Sequence, residues 1–421
     1  MTTRTDRLTV YFGDECVGTL YDTSPIAFEY APTWLSRRES MRMADMALVA
    51  GRNTTDAVPA YFENLLPEGE LRVYLSEQHK ASTLFRMLLT IAGDTAGAFV
   101  ILRGDEKPVP PSYEQTSWEA LAALLGKTSA AAIDLHGGNA RISLAGAQDK
   151  TSLAIFEDGI PWLPRGTAPS THILKPDIKR LDKVWHSAAN EAIVMLTAAN
   201  CGLPTADVFY EPRTRSCVVR RFDRTTSSDG SLGRLVQYDL CQLAGTLSDR
   251  KYEKEGGPGI AACAEIVRRY STQPAVDLRN LVVWIFFNLY TGNNDSHAKN
   301  LSVYWRPGGV VALTPFYDLM STRVYPGLSK DFALSIGGEF LPGAVTQEHV
   351  AAMARQLRMQ PRFVLKLASD LAAKMPEALA QAVAAVKPVL PDGAKDLAAQ
   401  LSGFVLSTTR KTAARLAGSS G

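Results

Sequence analysis

The spacing of apolar positions changes along the chain, and those changes outline its elements. LTVYF and CVGTLY are strand-like runs on either side of Gly13-Asp14-Glu15, which predicts a hairpin. ASTLFRMLLTIAG places its apolar residues at helical spacing and meets Gly93, so an amphipathic helix stopping there is predicted. GDEKPVPPS, Gly104 to Ser112, has too much proline and charge for either pattern and reads as a linker. SWEALAALLGK then predicts a short helix with Ser117 as its N-cap. From Arg141 the chain turns to strands: RISL, then TSLAIF after the loop AGAQDK, then IPWLP beyond the turn EDG, then THILK. Ser187 to Ala199 predicts a helix capped by Ser187 and closed by Gly202, and ADVFY and SCVVRRF predict a further hairpin. Beyond Tyr238 the pattern is mostly helical and ends Ala/Leu-rich; LSVYW-RPGG-VVALTPFYD interrupts it with two apolar runs around a turn. The organisation expected from this is residues 1–103, a linker 104–116, a strand-rich 117–236 and a helical 237–421.

Composition narrows the class without naming a function. A chain of 421 residues has room for two or three domains. Its 46% apolar and 21% charged residues are those of an ordinary globular protein. A net charge of +2 gives no support to a nucleic-acid-coating or membrane-surface role. The five cysteines form no CxxC pair, so neither a zinc site nor a disulfide framework is expected. MTTRTDRLTVYF carries no apolar signal core, and the run Leu281 to Tyr290 is about half a membrane span. A cytoplasmic protein with reduced thiols is the expectation.

Chemistry concentrates in four places. TGNNDSHAKN, Thr291 to Asn300, follows the apolar LVVWIFFNLY at once and is too rich in donors and acceptors for an ordinary turn. Asp295 and Asn300 in it have the D-x-x-x-x-N spacing of a kinase catalytic loop. That chemistry needs both types: a carboxylate accepts the proton of the acceptor hydroxyl, and an amide oxygen binds Mg²⁺ without adding charge beside the base. Lys299 between them is placed to neutralise the transferred phosphoryl, and His297 is either a polar contact to nucleotide or a structural hydrogen-bonder. Asp318, ending VALTPFYD, supplies the carboxylate for the second side of the ion. No glycine follows it, which argues against a flipping segment there.

The phosphate side of such a site is also present. AGAQDKT, with Ala145, Gly146, Ala147, Gln148 and Lys150, is not a Walker A loop, because its lysine follows no second glycine and a strand comes next. A small-residue loop between strands is, however, how kinases cover nucleotide phosphates. Lys175 at the end of HILK is placed to reach those phosphates, and Glu191 on the following helix is its expected acidic partner, with Asn190 the neighbouring alternative. Each piece alone has a bland reading as a hairpin loop, a surface lysine or a solvated helix face. Their order along the chain is the stronger signal.

RISLAGAQDKT, HILKP, NEAIVML, RRFDR, KYEKEGGPGI, NDSHAKN and LTPFYD together resemble the HipA family of bacterial serine/threonine kinase toxins, and YFENLLPEG and AGDTAGAF resemble its N-terminal accessory domain. The resemblance implies an α+β, two-lobed protein-kinase-like fold with an N-terminal αβ subdomain, using ATP and Mg²⁺. It implies phosphorylation of serine on a translation factor, in known cases an aminoacyl-tRNA synthetase, with growth arrest and persistence as the outcome. Ser143 matches the autophosphorylated serine that switches the kinase off, and Phe222 and Asp223 match the hinge that holds adenine and ribose. The implied partner is a small helix-turn-helix antitoxin (HipB-like), through which alone operator DNA is met; a dimer belongs to that complex, and a membrane does not. The competing readings are a small-molecule kinase, since such enzymes share D-x-x-x-x-N, and a catalytically weak co-repressor.

Overall fold

The computed structural model describes residues 6–418 except 38, 40, 69–71, 74, 75, 79, 92–94, 128–148 and 180. RISL and the loop Ala145 to Gln148, with Ser143, therefore lie outside the described residues, as does Gly93. The fold is α+β and forms two compact units, one of residues 1–174 with 221–249 and one of 175–220 with 250–421. The units do not follow the linear order of the chain, because residues 221–249 return to the first.

In the first unit, β1 (Arg7–Phe12), β2 (Glu15–Tyr21), β3 (Ala27–Tyr30), β4 (Arg52–Asn53) and β5 (Phe99–Arg103) form an antiparallel sheet in the order β4-β3-β2-β1-β5. Gly13 makes the β1–β2 turn at φ +56, a conformation that costs glycine little. Val10, Leu20, Phe28, Phe62, Phe85 and Phe99 are buried together with Tyr61 and Tyr238, whose rings meet edge-on at 5.9 Å. Each such side chain contributes about 2–3 kcal/mol by leaving water.

A second sheet in this unit joins β6 (Ser112–Gln115), β7 (Thr151–Ile155), β8 (Pro161–Arg165) and β9 (His172–Pro176), with β8 between β6 and β7. The Pro-rich linker thus ends early, in an edge strand whose polar SYEQ gives no apolar alternation to read. Ser117 caps its helix as predicted, its Oγ accepting from the Ala120 N–H at 3.1 Å. β12 (Arg224–Thr226) and β13 (Leu232–Arg234) form a further short hairpin.

β9 carries the chain into the second unit, whose first residue is Lys175. There the helix Ser187–Asn200 is followed by the hairpin β10 (Val208–Glu211) and β11 (Ser216–Arg220). The predicted cap Ser187 is instead the first helical residue, and its Oγ accepts from the Ile178 N–H at 2.8 Å. Asp177, outside the helix, takes the Ala188 N–H at 2.9 Å and does the capping. Helices Pro274–Thr291, Pro361–Val386 and Asp392–Leu416 pack on one another and bury Trp284, Phe286, Phe287, Tyr290, Met375 and Leu401. β14 (Gln237–Asp239) lies in the first unit; β15 (Ser302–Arg306) and β16 (Val310–Leu313) form the RPGG hairpin of the second, turning on Gly308 and Gly309 at φ +83 and +75. No helix of the described residues is long and apolar enough to cross a membrane.

Candidate active site

The helix Pro274–Thr291 delivers the polar stretch to a fixed place. It ends at Gly292, in the left-handed region at φ +69, where a Cβ would lie 2.6 Å from Phe404 Cε1. The two asparagines that follow are occupied by the backbone and its neighbours. Asn293 Nδ2 donates to Asn288 Oδ1 at 2.9 Å. The Asn294 N–H donates to Thr322 Oγ1 at 2.9 Å, and its Nδ2 to the Ser329 carbonyl at 2.9 Å. Asn294, Ser296, His297, Lys299 and Asn300 are all buried, whereas the side chain of Asp295 is 52% exposed. An accessible carboxylate in a loop whose other polar side chains are buried is suited to a base that must meet a substrate hydroxyl.

Asn300 sits in the 3₁₀ turn Ala298–Asn300, and its Nδ2 donates to the Asp295 carbonyl at 3.0 Å. With the amide nitrogen engaged, its oxygen is the end left for a cation. Tyr317 Oη donates to the Lys299 carbonyl at 3.0 Å and shares a hydrogen bond with Ser302 Oγ at 2.7 Å. The residue before Asp318 is thereby tied to the residue before Asn300. Asp318 itself lies in the left-handed region at φ +58, uncommon for a non-glycine and tolerated best by Asp and Asn.

Lys175 joins this side of the site to the helix. Its Nζ lies 2.5 Å from Glu191 Oε1 and 2.7 Å from Asp318 Oδ1. Burial disfavours the ammonium, but the carboxylates of Asp318 and Glu191 outweigh it and hold the lysine above its ordinary range, so it is charged. The adjacent Asn190 does different work. Its Oδ1 takes the Ser321 N–H at 2.9 Å, and its Nδ2 donates to the Ser321 carbonyl at 2.9 Å and to Tyr325 Oη at 3.0 Å. One helix therefore sets both the lysine and the segment behind Asp318. Sequence reasoning weighed Asn190 only as a rival partner for the lysine and missed its clamp.

Among the described residues no three His, Cys, Asp or Glu side chains gather around one point that could hold an ion. A carboxylate and an amide oxygen still fit Mg²⁺, which commonly takes one or two protein oxygens and completes its shell with water and substrate phosphate. Lys150 is half-buried in the position immediately before β7. His297 is buried with Nε2 3.9 Å from Asp295 Oδ1 and its ring edge-on to Tyr252.

Phe222 and Asp223 belong to the first unit. Asp223 is fully enclosed there. Its Oδ1 accepts from Arg221 Nε at 3.0 Å, and its Oδ2 from Arg221 Nη2 at 2.7 Å and the Gly97 N–H at 2.7 Å, with Arg224 Nη1 2.9 Å away. Burial raises its pKa, but the guanidiniums of Arg221 and Arg224 reverse this and bring it down to about 2. AGDTAGAF thus supports RRFDR within one unit, a link of long range that no local pattern announces.

Residues 142–379 match the pattern described as the HipA-like C-terminal domain, and residues 8–102 that of the HipA N-terminal domain. The chain belongs to the HipA family of serine/threonine kinases. It is 32% identical over 383 residues to the protein named "Putative kinase Y4mE" of Sinorhizobium fredii, covering 88% of this chain and 90% of that one. It is 27% identical to the serine/threonine-protein kinase toxin HipA of Shewanella oneidensis, over 94% of each chain. The fold superposes with a TM-score of 0.82 on HipA in a solved complex of Shewanella oneidensis HipA, HipB and operator DNA, at 25% identity and covering 98% of this chain and 97% of that one.

Proposed function

We propose that this kinase transfers the γ-phosphoryl group of ATP to a serine or threonine hydroxyl of a protein, as the toxin of a toxin–antitoxin pair. The observation that carries the reading is the arrangement in the second unit: Lys175 held between Glu191 and Asp318, beside a loop that exposes Asp295 and backs it with Asn300. Asp295 takes the proton of the acceptor hydroxyl. The freed oxygen attacks the γ-phosphorus, and ADP leaves. Lys175, charged and immobilised by two carboxylates, orients the nucleotide phosphates, and Lys299 meets the transferred group. Asn300 and Asp318 hold Mg²⁺, which when bound neutralises charge on the phosphates. Such positioning and electrostatics supply nearly all of phosphoryl-transfer catalysis.

The same proposal assigns Ala145, Gly146, Ala147, Gln148 and Lys150, with Phe222, Asp223 and His297, to nucleotide binding. For Asp223 the enclosure of its carboxylate favours a supporting part over direct contact. Ser143 is the proposed site of autophosphorylation, since about two added negative charges in that loop would repel ATP phosphates. The target is a translation factor, an aminoacyl-tRNA synthetase by family resemblance. The partner is a helix-turn-helix antitoxin; the match to a chain solved with HipB and operator DNA supports this.

The test is incubation of the full chain with ATP and Mg²⁺, followed by mass spectrometry of its peptides, beside an Asp295→Asn variant. Phosphate on Ser143 in the wild type alone is expected. No phosphate and no ATP turnover in either protein would overturn the kinase reading.

A further inference from the structure

The loop of residues 250–259 has no part in the chemistry above, yet it touches the base. Tyr252 Oη donates to Asp295 Oδ1 at 2.6 Å, and its ring stands edge-on to the His297 imidazole with centroids 5.3 Å apart. The two residues are 43 positions apart in sequence, so the contact is made by the fold.

The loop is stiff for local reasons. Glu253–Glu255 forms a 3₁₀ turn that closes at Gly256 with φ +90, and the Gly257 N–H returns to the Tyr252 carbonyl at 2.9 Å. A Cβ on Gly257 would stand 2.2 Å from the Arg250 carbonyl oxygen, so only glycine fits there. A second connection runs to the catalytic loop. The Glu253 N–H donates to the Ala333 carbonyl at 3.1 Å, and the Ala333 N–H donates to the Asn294 carbonyl at 3.0 Å. The Glu253 carboxylate takes both the N–H and the hydroxyl of Ser335, at 2.5 and 2.9 Å. The phenol and the residue preceding the base therefore hang from one frame.

That frame matters because the carboxylate of Asp295 is half exposed and would otherwise turn freely about its χ angles. We propose that Tyr252 is a positioning residue for phosphoryl transfer: its hydroxyl fixes Asp295 Oδ1 so that Oδ2 receives the proton of the acceptor hydroxyl. The inference rests on the kinase reading of Asp295. In the step, the proton passes from acceptor oxygen to Oδ2, the acceptor oxygen bonds to the γ-phosphorus, and the bond from that phosphorus to ADP breaks. Tyr252 keeps its own proton throughout and acts through Asp295.

The experiment compares full-length wild type, Tyr252→Phe, Asp295→Asn and the double variant, reading ATP turnover and phosphate incorporation with radiolabelled ATP. Tyr252→Phe keeps the ring against His297 and removes only the hydroxyl, and thermal unfolding monitors its fold. The expected result is a kcat lower by roughly tenfold to a hundredfold, with KM for ATP within about twofold of the wild type. In the Asp295→Asn background the same change is expected to add almost nothing, because the hydroxyl then has no base to position. Wild-type turnover with Tyr252→Phe within about twofold of it, a faster Tyr252→Phe, or an equal fractional loss in both backgrounds would overturn the inference while leaving the kinase reading standing. A wild type that turns over no ATP would overturn both.

Discussion

Each unit contains a buried cluster of charges, and the two clusters differ in what they leave open. In the first, Arg221 and Arg224 enclose Asp223, and the guanidiniums spend their other donors inside the same unit: Arg221 on Ser170 Oγ and the Thr95 carbonyl, Arg224 on the carbonyls of Ser170 and Gly97. Side-chain exposure of all three is 3–4%. In the second, Lys175 sits between two carboxylates, which leaves one negative charge in excess. Asp318 is 43% exposed and stands on a left-handed backbone. Pairing of charges by itself does not mark a functional site, because both clusters have it. The excess charge is positive in the first and negative in the second. Of the two, the second has the opening to solvent and the left-handed backbone, and those are the features a cation carried by a ligand can use.

This contrast can be broken most directly at Asp318. Asparagine tolerates the left-handed region almost as well as aspartate, so Asp318→Asn is expected to keep the fold, with a melting temperature within about 2 °C of the wild type. Phosphoryl transfer is expected to fall by about a thousandfold, near 4 kcal/mol of transition-state stabilisation. Steady-state kinetics with a Mg²⁺ titration, beside a thermal melt, checks both halves; an unfolded or a fully active variant would erase the distinction.

At Asp223 the loss is expected in stability. Asp223→Asn leaves two buried guanidiniums without their anion, at a cost of roughly 3–5 kcal/mol. Denaturant unfolding gives the size, and hydrogen exchange is expected to show the loss in residues 95–103 and 221–226.

A smaller effect sharpens the same point through pH. Asp223 titrates near 2 in the folded chain against an ordinary value of 3.8, so the folded state binds fewer protons in that range. Its contribution, on the order of 2 kcal/mol, is present above about pH 4 and is lost as pH falls through the folded value. Unfolding free energy measured from pH 5 to 2 should show this slope in the wild type, reduced in Asp223→Asn.

Much of the second unit was legible in the sequence, because its elements are long or sharply punctuated. The run before Gly292, the RPGG hairpin and the strand ending at Lys175 all follow from apolar spacing and turn residues. The D-x-x-x-x-N pair was legible because its two residues stand five positions apart in one short loop, where Asn300 Nδ2 reaches the Asp295 carbonyl. β6 and the β12–β13 hairpin escaped notice because they are short and polar. The cap of the helix Ser187–Asn200 was misassigned: Ser187 is a good capping type, but Asp177 reaches the helix end first.

Taken alone, the sequence determined which residue types are available and in what order: a lysine on a strand, an acid and an amide side by side on a helix, an aspartate and an asparagine in one loop, and an aspartate after a hairpin. These are local properties, governed by propensity, periodicity and spacing. Tertiary structure decided which of two adjacent residues does which work. A helix turns by about 100° per residue, which sends Glu191 to Lys175 and Asn190 to Ser321. It also decided that Tyr252 from a glycine-rich loop meets Asp295, and that AGDTAGAF supports RRFDR. Contacts across many tens of residues depend on packing of the whole core, and no window of sequence contains that information.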